Sequence, residues 1–201
     1  MPKPDATALA DLQLAAVRRW HEMDDPSLPH GEAGLAGVVL DQHRFNYWLW
    51  HEEDEARRTD VSDAEIVRVK RSIDRLNQQR NDRVERLDEL LLVELDADGV
   101  VADAAARQHT ETPGSAFDRL STAALKLFHM EEEEARAEAP AEHRRRAAEK
   151  VARLRTQRND LAASLDLLLV DLWAGRARLT VYRQFKMYNA PALNPALYRR
   201  R

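Results

Sequence analysis

Glu52-Glu53-Asp54-Glu55-Ala56-Arg57 returns 79 residues later as Glu131-Glu132-Glu133-Glu134-Ala135-Arg136, and the fold turns on this pair of stretches. Downstream, Gln79-Arg80-Asn81-Asp82 returns 78 residues on as Gln157-Arg158-Asn159-Asp160. A third block, Leu87-Asp88-Glu89-Leu90-Leu91-Leu92-Val93-Glu94-Leu95, is answered by Leu165-Asp166-Leu167-Leu168-Leu169-Val170-Asp171-Leu172. One coincidence among charged segments means little. Three blocks in one order at a nearly constant offset mean a duplicated unit.

Within each unit the apolar residues recur at helical spacing. The spacing predicts an all-α helical bundle made from an internally duplicated helical hairpin, with repeats at 38–95 and 116–173 supplying four core helices. An N-terminal helix over 7–21 and a C-terminal helix over 176–189 complete a single domain, 1–201. Ser62 with Glu65 forms a capping box that opens a long helix, and Gly99 ends it. Ser115 is the expected cap of the following helix, Pro140 a first-turn residue of the next, and Asn189-Ala190-Pro191 a stop. No strand pattern competes.

Composition agrees. The chain has 201 residues, 33% of them charged, and only 6 glycines, with abundant Ala, Leu, Glu and Arg that favour helix. Thirty-one basic against 35 acidic residues give a net charge of -4, which argues against a nucleic-acid partner. With no cysteine, disulfides, thiolate metal sites and a cysteine nucleophile are excluded. No window approaches a membrane span and no signal-peptide core is present, so the expectation is a soluble, cytoplasmic protein without a membrane partner.

The helical phase also selects the functional candidates. Glu52 and Glu131 fall where each stripe expects an apolar residue, and Arg80 and Arg158 lie on the apolar side of the long helices. Asn81 with Asp88, and Asn159 with Asp166, run alongside. Buried charge is costly unless paired, so Glu52 with Arg80 and Glu131 with Arg158 are the natural partners. Either these groups form an ion-pair network that sets the bundle's register, or they surround a polar cavity between the hairpins. In a cavity, the two arginines would grip an anion and the carboxylates would serve as acid, base or metal ligands. Near the same level lie His43, Asn46 and His51 on one helix, and Asp118, Arg119, Lys126 and His129 on another. Arg183 and Lys186, in the aromatic-basic segment 182–189, could cover the cavity mouth.

The blocks His43-Arg44-Phe45-Asn46, Leu49-Trp50-His51-Glu52-Glu53-Asp54, Gln79-Arg80-Asn81-Asp82, Glu111-Thr112-Pro113-Gly114-Ser115 with Asp118-Arg119-Leu120-Ser121, and Tyr182-Arg183-Gln184-Phe185-Lys186-Met187-Tyr188-Asn189 followed by Asn194-Pro195 resemble the domain-of-unknown-function family 4254. The resemblance covers about residues 35 to 198. It implies a bacterial, mostly helical, cytoplasmic protein and supplies no reaction. The chain departs from the family pattern at Ala190, where an acidic residue is expected.

The first functional expectation is therefore a small phosphorylated or otherwise anionic metabolite, bound in a polar cavity whose carboxylates and imidazoles could also act on it. Its ligand-binding candidates are Arg80, Asn81, Arg158, Asn159, His43, Asn46, Arg119, Lys126, Arg183 and Lys186. Glu52, Glu131, His51 and His129 are the candidate catalytic groups. No metal ligand and no cofactor is assigned. An alternative is an all-α nucleotide pyrophosphohydrolase needing Mg²⁺ or Mn²⁺, with Glu52, Glu55, Glu85 and Asp88 loosely echoing its paired carboxylates. The third reading is a non-catalytic structural or interaction bundle. A homodimer is compatible with all three.

Overall fold

The computed structural model describes residues 3–23, 26, 34–185 and 190–199. Six helices and two very short strands occur among them, in the order α1 (Ala6–Met23), α2 (Gly34–Glu55), α3 (Asp63–Ala97), β1 (Arg107–Gln108), α4 (Pro113–Ala135), α5 (Ala141–Trp173), β2 (Ala177–Arg178) and α6 (Pro195–Tyr198). Helices α2 and α3 pack as one hairpin, α4 and α5 as another, and α1 lies against α2, α4 and α5. None of the described helices is long and apolar enough to cross a membrane.

The long helices start and stop for local reasons. Ser62 accepts the Glu65 backbone N–H at the start of α3. Over its 35 residues α3 extends about 52 Å at 1.5 Å per residue. Its end turns at Gly99, φ 69°, where Val100 N–H reaches back to the Leu95 carbonyl at 2.9 Å. Helix α5 ends alike at Gly175, φ 71°, with Arg176 N–H on the Asp171 carbonyl at 2.8 Å. Both ends are the glycine-terminated six-to-one closure that satisfies orphan carbonyls.

Three expectations need correction. Thr112, not Ser115, caps α4: its hydroxyl accepts the Ser115 N–H at 3.2 Å, and Pro113 occupies the first turn. Pro140 stands at the cap position of α5 rather than inside it. No helix forms over the described part of 176–189. Ala177 and Arg178 instead pair in parallel with Arg107 and Gln108, and 181–185 is irregular. Phe185 there is 85% exposed, so it supplies none of the apolar burial that would hold a helix there. The rest of the expected helix, 186–189, lies outside the described residues.

The core has three parts. The largest joins Leu87 and Leu91 of α3, Phe117 and Leu120 of α4, and Leu165, Leu169 and Leu172 of α5, with Ala6 and Ala10 of α1. A second holds Val17, Trp20, Leu40, Tyr47 and Leu125, where α1, α2 and α4 converge. The third, Phe45, Leu49, Val69, Ile73 and Leu76, binds α2 to α3. The candidate site lies beside the second.

Candidate functional site

The charged residues picked out by the repeat do not enclose one cavity. Asp88 accepts the backbone N–H of Gly114 at 2.7 Å, at the start of α4. Asp166, its counterpart, accepts the N–H of Ala6 at 2.7 Å and the Thr7 hydroxyl at 2.8 Å, at the start of α1. Each carboxylate thus caps another helix, satisfying orphan amides and favouring the positive end of the dipole. The arginines are likewise paired elsewhere than expected. Arg80 meets Asp118 of α4 at 3.5 Å and the Asn81 side-chain oxygen at 3.0 Å. Arg158 meets Asp11 of α1 at 2.5 Å and the Asn159 oxygen at 3.4 Å.

The expected pairs Glu52–Arg80 and Glu131–Arg158 are not formed. Glu52 accepts the Ser72 hydroxyl at 2.7 Å. Glu131 bridges Arg18 at 3.0 Å and Arg155 at 2.8 Å. Burial pushes the Glu131 carboxyl up, but the bonds from Arg155 and Arg18 outweigh it and hold its pKa below the usual range.

Other candidates are engaged in hydrogen bonds or ion pairs within the protein. His43 is fully buried, with Nε2 donating to the Gln13 carbonyl at 3.0 Å and Nδ1 2.6 Å from the Ser121 hydroxyl. Desolvation drives its pKa down to about 3, so it stays neutral. Asn46 donates to Asp118 and to Ser121, both at 2.8 Å. Arg119 pairs with Glu111 at 2.7 Å. Arg183 straps Glu85 at 2.8 Å and Glu89 at 2.5 Å. Lys186 lies outside the described residues. The carboxylates of the pyrophosphohydrolase alternative are dispersed: Glu55 pairs with Arg58, Glu85 with Arg183, and Asp88 caps α4. Among the described residues, no three carboxylates gather as a metal site.

Two clefts flank Trp50. One, of about 320 Å³, is lined by Asn46, Asn77, Arg57, Arg80 and Thr122 together with Glu53 and Asp54. Its cations are already answered, Arg57 by Glu53 and Arg80 by Asp118. The other, about 500 Å³, runs between α4 and α5. Trp50, Met130 and Leu154 make its walls largely apolar, and Lys126, Lys150 and Arg153 supply charge. Among the described residues none of these three cations has a carboxylate partner, and Glu133, the acid lining the cleft, is taken by Arg136 at 3.0 Å and His143 at 2.6 Å. The surplus is positive.

At the end of this cleft three imidazoles converge. His21 comes from the last turn of α1, His51 from α2 and His129 from α4; one ring nitrogen of each lies within 4.8 Å of the others. The Nε2 atom of all three is buried without a hydrogen-bond partner. His21 Nδ1 donates to the Val17 carbonyl at 2.8 Å, and His129 Nδ1 to the Glu132 carboxylate at 2.8 Å. The rings are held by aromatic contacts. Phe128 stacks on His21 at 4.1 Å, Trp50 on His129 at 4.8 Å, and Tyr47 meets His51 edge-on at 4.5 Å. Burial, with help from the neighbouring histidines, lowers the pKa of His51; burial lowers that of His129 against the opposing pull of Glu132.

Sequence reasoning placed His51 and His129 among the catalytic candidates but missed His21, Lys150 and Arg153. It also assigned no metal ligand, whereas this cluster is the group that could hold one. A faint signal existed. At the 79-residue offset His51 falls on Met130 and His129 on Trp50, so the repeat breaks where the cluster forms.

The family model described as "Protein of unknown function (DUF4254)" matches residues 36–181, and the chain belongs to that family. No curated protein and no solved structure matches the chain.

Proposed function

We propose that this member of the DUF4254 family binds a small anionic metabolite carrying an apolar or aromatic body, in the cleft between α4 and α5. One observation carries the reading: Lys126, Lys150 and Arg153 surround a largely apolar cleft with no carboxylate committed to them among the described residues. Exposed cations normally find loose surface partners, as Arg145 does with Glu142 and Glu149. Three left uncompensated around one concavity favour an incoming carboxylate or phosphate. Arg153 can grip it bidentately, and the lysines act as point charges. Trp50, Met130 and Leu154 receive the apolar part. A volume of about 500 Å³ suits a small metabolite.

This reading places the site between α4 and α5 beside Trp50 of α2, and of the sequence candidates Lys126 and His129 line it. The cations are exposed, so binding weakens with ionic strength as charges beyond about 8 Å are screened at physiological salt.

Thermal unfolding against a panel of aromatic and aliphatic carboxylates and phosphate esters tests the reading. A true ligand at 100 times its Kd adds about 2.7 kcal/mol. Lys126→Ala and Arg153→Ala, both exposed, should alter stability by no more than about 0.5 kcal/mol yet abolish that gain. A panel that stabilises nothing, or that stabilises the double variant as well as the wild type, sinks it.

A further inference from the structure

We infer that His21, His51 and His129 form a three-nitrogen site for one borderline transition-metal dication of the Zn²⁺ class, with an open coordination position for water or an anion.

Convergence is the first ground. One histidine from each of three helices, two of them more than 70 residues from the third in sequence, brings a ring nitrogen within 4.8 Å of the other two. Local helix geometry does not group side chains so distant along the chain. The second ground is hydrogen bonding. Buried polar atoms are nearly always partnered, yet Nε2 of all three rings has no partner. Three converging rings, each with a buried and unpartnered Nε2, are an arrangement that a bound cation resolves.

The outer contacts match what ligating histidines need. His21 gives its Nδ1 proton to a backbone carbonyl and His129 gives its own to Glu132. Each bond leaves the lone pair on Nε2 and orients the ring, the usual support of a metal-bound imidazole. Phe128, Tyr47 and Trp50 pack around the rings, and Glu132 offers charge compensation at the edge.

Donor chemistry then limits the ion. An all-imidazole set disfavours Mg²⁺ and Ca²⁺, which take oxygen, and suits Zn²⁺, Co²⁺, Ni²⁺ or Cu²⁺. At metal–nitrogen distances of 2.0–2.1 Å a tetrahedral site needs nitrogens about 3.3 Å apart, so the rings must close by about 1.5 Å at most. That lies within side-chain rotation. Three protein ligands leave the fourth position open, as in catalytic rather than structural zinc sites. His129 also lines the α4–α5 cleft, so an anion held there has a short path to the metal.

The test uses the full-length, untagged chain, stripped by chelator and titrated with Zn²⁺ by calorimetry and with Co²⁺ by visible absorption. The expected result is one equivalent per chain, with the intense visible bands of four-coordinate Co²⁺. His21→Gln, His51→Gln and His129→Gln should each weaken binding at least tenfold. Glu132→Gln, an exposed change that leaves every ligand in place, should weaken it by about tenfold through its grip on His129. His109→Gln, away from the cluster, should bind as the wild type does. Circular dichroism checks each fold, and Glu132→Gln carries the test if a histidine variant does not fold. Absence of saturable binding by the wild type overturns the proposal, as does unchanged affinity in the histidine variants or equal loss in His109→Gln. Lys126→Ala should keep the metal while losing the anion, so the two proposals fail separately.

Discussion

The two hairpins put the same residue types at the same steps along their long helices, yet their surroundings differ. Asp88 and Asp166 each cap the first turn of a neighbouring helix, and Arg80 and Arg158 each reach an aspartate a little further along that same helix, Asp118 on α4 and Asp11 on α1. So α4 relates to α3 as α1 relates to α5. The contact between α3 and α4 is the tighter one. Gly114 comes so close that a Cβ there would lie 2.5 Å from the Val84 carbonyl oxygen, whereas the residue capped by Asp166 is an alanine. Asp88 is 2% exposed, while the Asp166 side chain is 27% exposed. The matching Asp and Arg of the two recurring stretches tie helices together. His51 and His129, which fall on unlike residues in the other copy, form the candidate site.

Five substitutions break or sharpen that contrast. Gly114→Ala should cost most, about 3 kcal/mol, because backbone oxygen cannot yield and α3 and α4 must separate; urea unfolding reads it, and a loss below 1 kcal/mol would mean the helices part easily. Next, Asp88→Ala should cost about 2–3 kcal/mol, since it strands a buried amide as well as removing a cap. Asp166→Ala should cost only about 1 kcal/mol, because water can reach the freed α1 amides. Equal losses at the two sites would erase the difference between the hairpins.

The fourth concerns protons. Burial raises the Asp88 carboxyl from 3.8 to about 6, against the opposing bonds from Thr112 and Gly114. The folded chain therefore keeps a proton that the unfolded chain has lost. This contribution is complete below about pH 3.8 and disappears as pH rises through about 6. The stability of the wild type relative to Asp88→Asn should accordingly fall from about pH 4 to about pH 7, measured by urea titration at each pH. A rising or flat difference would contradict the burial argument. The smallest effect belongs to Glu131→Gln, about 0.5 kcal/mol, because its partners Arg18 and Arg155 are more than half exposed and such pairs contribute little.

Much of the architecture was legible because helices are encoded locally. The Ser62 cap, the glycine closure at Gly99, and the periodic leucines of α3 and α5 depend on residues within a turn or two of one another. The last segment misled because periodicity alone does not supply a partner surface: Val181 and Phe185 keep helical spacing, but Phe185 meets solvent. Of the candidate site, Lys126, His51 and His129 stood out in the sequence, but His21, Lys150 and Arg153 did not. The arginines and aspartates on the apolar faces were read as groups that grip a ligand, and what spacing along the chain did not reveal is that they cap and pair between helices.

The sequence by itself determined the helical class, most helix boundaries, the repeat and the presence of charge on apolar faces, because each depends on spacing along one chain segment. Only the tertiary structure decided which charge answers which. Arg158 turns to Asp11, 147 residues away, and His21 joins His51 and His129 across three helices. The reason is physical: a buried charge or an unpaired ring nitrogen is stabilised by whatever lies within a few ångströms, and those neighbours exist only once distant segments have packed.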